Sequence, residues 1–155
     1  MVNRVYRSLF FFICMFVTFP VLAFDVDEIL ALNEAPNGIV FEVISGDKLA
    51  LEKIIPGLRK DIDKMRQKFP GLSIAMVTHG QEQFSLLTKE KKKHAKTHKL
   101  TQKLAANDVE VHVCGTHASW YSLSEEDYPD FLDVAASAPA QINDYKKLGY
   151  IHIEL

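Results

Sequence analysis

Three short runs, two of them largely apolar and one that alternates apolar with polar residues, most strongly constrain what this chain can fold into, and each ends in Ser, His or Cys followed by glycine. The runs cover residues 39–44, 72–78 and 109–113, and the pairs that close them are Ser45-Gly46, His79-Gly80 and Cys114-Gly115. Helical patterns separate these runs, and such alternation is typical of a parallel α/β sheet. We therefore expect an α/β fold, a single three-layer domain with a mainly parallel five-stranded sheet flanked by helices.

The segments between and after these runs supply the remaining elements. Their spacing predicts helices over residues 49–69, 84–106 and 139–148, and strands over residues 131–135 and 150–154. The first helix places apolar residues on one face, from Leu51 to Met65. The second contains six lysines between Lys89 and Lys99, which we interpret as a solvated face or exposed loop rather than a binding patch.

The N-terminus has the pattern of a secretory signal peptide. Residues 1–7 are basic and residues 9–17 are almost entirely apolar. Residues 21–23 are small or otherwise compatible with a signal-peptide cleavage site, and we expect cleavage after Ala23. The alternative is an uncleaved N-terminal anchor. We therefore expect a signal peptide at 1–23, an N-terminal segment at 24–37 and an α/β domain at 38–155. The protein should be periplasmic, with no membrane contact after cleavage.

Charge and cysteine content narrow the class of function. Removing residues 1–23 takes away two arginines and no acid, so the net charge changes from −2 to −4. We expect no nucleic-acid partner, because such domains carry a basic footprint. Cys14 would leave with the signal peptide, and Cys114 would be the remaining cysteine. Its thiol is then buried and inert, paired between chains, or kept free for a reaction.

The carboxyl ends of the strands are where we expect the functional site, since ligands of open parallel sheets bind there. Cys114, His79 and the Gly46 loop would meet at this edge. Gly80 and Gly115 would allow tight turns and leave backbone amides reachable for a ligand. Amide groups and the positive end of a following helix favour thiolate over thiol at Cys114. We expect His117, three residues further along the chain, or His79, at a neighbouring strand end, to stabilise the thiolate or to move a proton.

The chain resembles the DsrE/DsrF-like sulfur-relay proteins over roughly residues 38–155. The segments that carry the resemblance are 77–80, 84–87, 111–116, 124–128, 136–140 and 147–151. The resemblance implies a compact α/β fold that assembles as a homotrimer or homohexamer. It also implies that Cys114 matches the cysteine that holds a persulfide in the sulfur-carrying members. The expected partners are therefore further copies of this chain and an unidentified sulfur donor or acceptor, either a protein or a small sulfur compound.

Two other classes of function stay open beside sulfur relay. One is a non-catalytic module that binds a metal ion or a small anion at the same edge, and the other is an oligomeric scaffold with a buried cysteine. Cys114, His117 and His79 offer thiolate and imidazole ligands that suit zinc or copper, but one Cys-x-x-His is at most half of a site. We predict no resident cofactor. The aromatic group Trp120, Tyr121, Tyr128 and Phe131 favours self-association.

Overall fold

The computed structural model describes residues 25–155. The predicted signal peptide and its cleavage site after Ala23 lie outside these residues. None of the helices within 25–155 combines the length and the apolar character needed to cross a membrane.

Five strands form one sheet in the order β4-β3-β2-β1-β5, and every neighbouring pair is parallel. The strands are β1 Gly38–Val43, β2 Ile74–Thr78, β3 Val109–Cys114, β4 Asp133–Ala135 and β5 Tyr150–Glu154. The helices are α1 Val26–Ala31, α2 Ala50–Lys68, α3 Ala95–Ala105, α4 Gly115–Ser119 and α5 Ala138–Lys147. The predicted five-stranded α/β fold is confirmed, and the sheet is parallel throughout.

Helices cover the two faces of the sheet unequally. Buried residues of α1, α2 and α3 join one face of the sheet in the larger core, with Ile29, Ile55 and Leu104 among them. On the other face α5 alone crosses from the β4 edge to the β5 edge, and it contributes Ile142 and Tyr145 to a smaller core that also contains Cys114. This arrangement is the predicted three-layer domain, with one thin outer layer.

The prediction of a mostly helical segment over residues 84–106 is wrong in its first half. Two 3-10 segments, Gln81–Leu86 and Thr88–Glu90, precede a turn, and α3 begins only at Ala95. The side chains of Glu82 and Gln83 are fully buried and bind distant backbone groups, and these bonds keep the stretch from continuing as an α-helix. The lysines between Lys89 and Lys99 are exposed, as the solvated interpretation requires.

The N-terminal segment contains a helix that the sequence patterns did not reveal. The side chain of Asp25 accepts the backbone N–H of Glu28, and the carboxylate of Glu28 accepts the backbone N–H of Asp25. The two bonds form a capping box at the start of α1. Ile29 is fully buried in the larger core. The aromatic group also differs from expectation, because Tyr128 is buried and Phe131 packs against the core. Only Trp120 and Tyr121 of the four remain exposed as a surface for self-association.

Two buried histidines should make the protein less stable in mild acid. Burial lowers the pKa of His98, and the nearby Lys91 cation adds to this. Burial also lowers the pKa of His112, although Asp133 and Glu110 oppose the effect. Below about pH 6.5 the unfolded chain therefore binds protons that the folded chain does not, and stability falls as pH decreases.

We expect the free energy of unfolding to decrease between pH 6.5 and pH 5, by at most about 1.4 kcal/mol per pH unit for each histidine. Urea unfolding across this range measures it. His98→Gln should reduce the slope by about one proton, whereas Lys99→Gln, a change at an exposed neighbouring position, should not. If the slope of unfolding free energy against pH is unchanged in His98→Gln, His98 binds its proton in the folded protein as it does in the unfolded chain.

Candidate functional site

A cleft of about 480 Å³ opens at the carboxyl end of the sheet. Its walls come from the loops after β1, β2 and β3 and from the start of α5. Five of the six residues predicted for the site line it: Cys114, His117, His79, Gly46 and Gly80. The topology thus brings together residues that lie up to 71 positions apart in the chain, as the strand-end argument predicts.

A larger cavity, about 600 Å³, lies at the opposite end of the strands. Arg66 occupies this region and donates to the backbone carbonyls of Leu72, Asn107 and Asp108. Among the described residues, the lining of this cavity includes no thiol and no imidazole. The arginine is therefore engaged in joining loops, and the smaller cleft with Cys114 is the better candidate for chemistry.

Cys114 ends β3 and is the N-cap residue of α4. Its sulfur atom accepts the backbone N–H of His117 at 3.5 Å. The residue is only 5% exposed, so the thiol is recessed at the base of the cleft instead of projecting from a strand tip. Any compound that reacts with this sulfur has to enter the cleft.

Gln83 joins Cys114 to His117, and the sequence patterns did not identify it. The backbone N–H of Cys114 donates to Gln83 Oε1 at 2.9 Å. That bond assigns the other amide atom, Nε2, as the neighbour of His117 Nδ1 at 2.8 Å. The only available signal was the polar run 81–83 directly after a strand-end glycine.

The ring of His117 has two competing partners. Its Nδ1 lies 2.8 Å from the amide nitrogen of Gln83 and 2.8 Å from the carbonyl oxygen of His79. Without a proton, Nδ1 accepts from Gln83; with a proton, it donates to the carbonyl of His79. The tautomer of His117 therefore decides which of the two hydrogen bonds forms next to the backbone of Cys114.

The imidazole of His79 points to a carboxylate. Its Nε2 lies 2.6 Å from Glu42 Oε1, and the second oxygen of Glu42 lies 2.6 Å from Nε2 of His152. These three side chains connect the ends of β2, β1 and β5. The imidazole of His79 thus contacts Glu42 and not the thiol that it was expected to stabilise. It is the carbonyl group of His79 that contacts His117.

Neither histidine is arranged with Cys114 as a metal ligand. Within residues 25–155 no three His, Cys, Asp or Glu side chains are grouped as a metal ion requires. His79 binds Glu42, and His117 binds Gln83 or the carbonyl of His79. We therefore do not propose a metal at Cys114, His117 and His79.

Glu82 is a fully buried carboxylate behind the cleft, and the sequence patterns did not identify it either. It accepts the backbone N–H of Ser45 at 2.9 Å, the backbone N–H of Gly80 at 2.7 Å and the hydroxyl of Thr78. These bonds tie the loop after β1 to the loop after β2. Three donors to one charged acceptor are the kind of arrangement that makes burial of a carboxylate tolerable.

The three predicted glycines have different physical reasons. A Cβ on Gly80 would lie 2.4 Å from the backbone nitrogen of Ser45, so close approach of two loops requires glycine there. A Cβ on Gly115 would lie 3.0 Å from the carbonyl oxygen of Ala135, and Gly115 is absent from the cleft lining. Gly46 has no atom within 4 Å of such a Cβ and borders open cleft space.

Comparison with known proteins supports the fold and does not extend to function. No family model matches the chain, and no curated protein matches it significantly. Among solved structures, the chain is similar to a protein of unknown function, MTH1491 from Methanobacterium thermoautotrophicum, with a TM-score of 0.61 and 15% sequence identity. The similarity covers 76% of this chain and 97% of that chain. At this identity the comparison shows a shared α/β fold.

Proposed function

We propose that this is a sulfur-handling protein of the DsrE/DsrF-like type, in which Cys114 accepts sulfane sulfur as a persulfide and passes it on. The observation that carries the proposal is the position of the thiol at the base of a strand-end cleft, with the His117 N–H on its sulfur. The sequence resemblance points to the same residue. We also propose that the protein acts in the periplasm as a homotrimer or homohexamer.

The reaction consists of two sulfur exchanges. In the first, the Cys114 thiolate attacks the outer sulfur of a donor R–S–SH, a new Cys114 S–S bond forms, and R–S⁻ leaves with the electron pair of the broken bond. In the second, an acceptor thiolate attacks the outer sulfur of the Cys114 persulfide, and the Cys114 thiolate is released. Each step exchanges one S–S bond for another, so no external oxidant or reductant is needed.

The surrounding groups would position and stabilise the sulfur. The backbone N–H of His117 donates to Sγ at 3.5 Å and helps to position the sulfur. Gln83 acts as a positioning residue, because it holds the Cys114 backbone with its carbonyl oxygen and the His117 ring with its nitrogen. Phe84 and Trp120 pack edge-on against this ring and limit its movement.

Mass spectrometry of the native protein after treatment with benzyl persulfide, an R–S–SH donor with an uncharged apolar body, tests the proposal. We expect the mass of one added sulfur atom per chain, located on the peptide that contains Cys114 and removed by a thiol reductant. Native alkylation of the same protein serves as the control for access. If Cys114 is alkylated in the folded protein but takes no sulfur, sulfur relay is wrong. If it reacts only after unfolding, the scaffold function replaces it.

A further inference from the structure

We infer that the cleft at Cys114 binds small sulfur compounds with an uncharged, apolar body, and that it discriminates against anionic sulfur donors. This inference rests on the proposed function and names its substrate class. The binding preference is nevertheless measurable without any sulfur transfer.

The titratable side chains in the cleft lining are Cys114, His79 and His117. Among its lining residues there is no Lys, Arg, Asp or Glu. Apolar side chains lie at the rim instead. Ile44 is 52% exposed, Trp120 is 74% exposed, and Pro139 lies in the first turn of α5. Apolar side chains exposed around a concave site that also presents a few polar atoms are typical of a small-molecule pocket.

Negative groups lie directly behind this lining. Glu42 binds the ring of His79, and Glu82 accepts the backbone N–H groups of Ser45 and Gly80. His79, Ser45 and Gly80 all line the cleft. A donor that carries a carboxylate or sulfonate would lose its hydration and approach two carboxylates, of which Glu42 is paired with the imidazoles of His79 and His152, and the walls hold no lysine or arginine to bind the donor's charge. A neutral donor avoids this cost.

The size of the cleft agrees with a small occupant. Its volume of about 480 Å³ falls within the range of about 300–1,000 Å³ that is usual for small-molecule sites. The sulfur of Cys114 lies at its base, so the reacting end of the compound points inward and the apolar body contacts the rim. Burial of that body against Ile44 and Trp120 supplies the binding free energy.

The chain has one tryptophan, Trp120, so its fluorescence reports directly on the rim of the cleft. We would titrate benzyl methyl sulfide, a neutral thioether that transfers no sulfur, and (benzylthio)acetate, which adds one carboxylate to the same body. Equilibrium dialysis gives an independent measure of both affinities. We expect saturable binding of the neutral probe and an affinity at least about tenfold lower for the anionic one, which corresponds to about 1.4 kcal/mol.

Matched variants locate the binding. Ile44→Ser should weaken the neutral probe several-fold, whereas Leu148→Ser should not, because Leu148 is also an exposed apolar residue but lies outside the cleft lining. Equal affinity for the two probes, or equal effects of the two substitutions, would overturn the inference. So would the absence of probe binding in a protein whose Cys114 is loaded by a protein persulfide, since the occupant would then be a macromolecule.

The two proposals fail separately. Repeating the titration with Cys114→Ser measures binding in a chain that lacks this thiol. If the neutral probe binds but wild-type protein takes no sulfur, the ligand class stands and sulfur relay falls. If sulfur loads on Cys114 while the anionic probe binds as well as the neutral one, sulfur relay stands and the ligand class falls.

Discussion

Replacing Cys114 with serine should abolish sulfur loading completely and leave the fold intact. Cys114 is the free cysteine of the described residues, and the substitution removes no cross-link. Serine is a favoured N-cap residue, and its hydroxyl oxygen can accept the His117 N–H in place of the sulfur atom. The free energy of unfolding should therefore change by no more than about 1 kcal/mol.

Mass spectrometry after treatment with benzyl persulfide and urea unfolding measure these two quantities on the same samples. Ser73→Ala changes an exposed serine at the opposite end of the strands and should load sulfur at the wild-type level. If Cys114→Ser fails to fold, Cys114→Ala provides the second variant, since it removes the thiol without a buried hydroxyl. Sulfur uptake that persists in a folded variant at position 114 would contradict the proposed function.

Replacing Glu82 with alanine should cost about 3–5 kcal/mol of folding stability, the largest loss that we expect from a single residue outside the larger core. The change leaves three donors without their acceptor: the buried backbone N–H of Gly80, the buried hydroxyl of Thr78 and the partly buried backbone N–H of Ser45. Each unsatisfied donor costs about 1–3 kcal/mol, and partial rearrangement reduces the sum. The loops that form the cleft should loosen at the same time.

Urea unfolding tests this prediction, with Glu126→Ala as the matched control. Glu126 is exposed, so its removal should change stability by no more than about 0.5 kcal/mol. Glu82→Gln should lie between wild type and alanine, because the amide keeps one acceptor but turns a donor toward backbone N–H groups. A loss below about 1 kcal/mol in Glu82→Ala would mean that water or another group satisfies the three donors.

The sequence by itself determined the positions of the strands and of the helices α2 and α5. Strands of a parallel sheet are buried on both faces, so they appear as continuous apolar runs that a short window detects. The periodic face of α2, from Leu51 to Met65, is likewise a local property and is buried as predicted. Because parallel strands end at one edge, the order of the elements also placed Cys114, His79 and Gly46 together.

Only the tertiary structure decided the path of residues 81–94 and the partners of the polar groups around the thiol. Glu82 binds Ser45, 37 positions away, and Gln83 binds Cys114, 31 positions away. Glu42 binds His79, 37 positions away, and His152, 110 positions away. A local pattern contains no information on such pairings, yet the cost of burying an unpaired carboxylate or amide outweighs the weak helical preference of the segment. The need to pair buried polar groups therefore determined these contacts, which short stretches of the sequence do not predict.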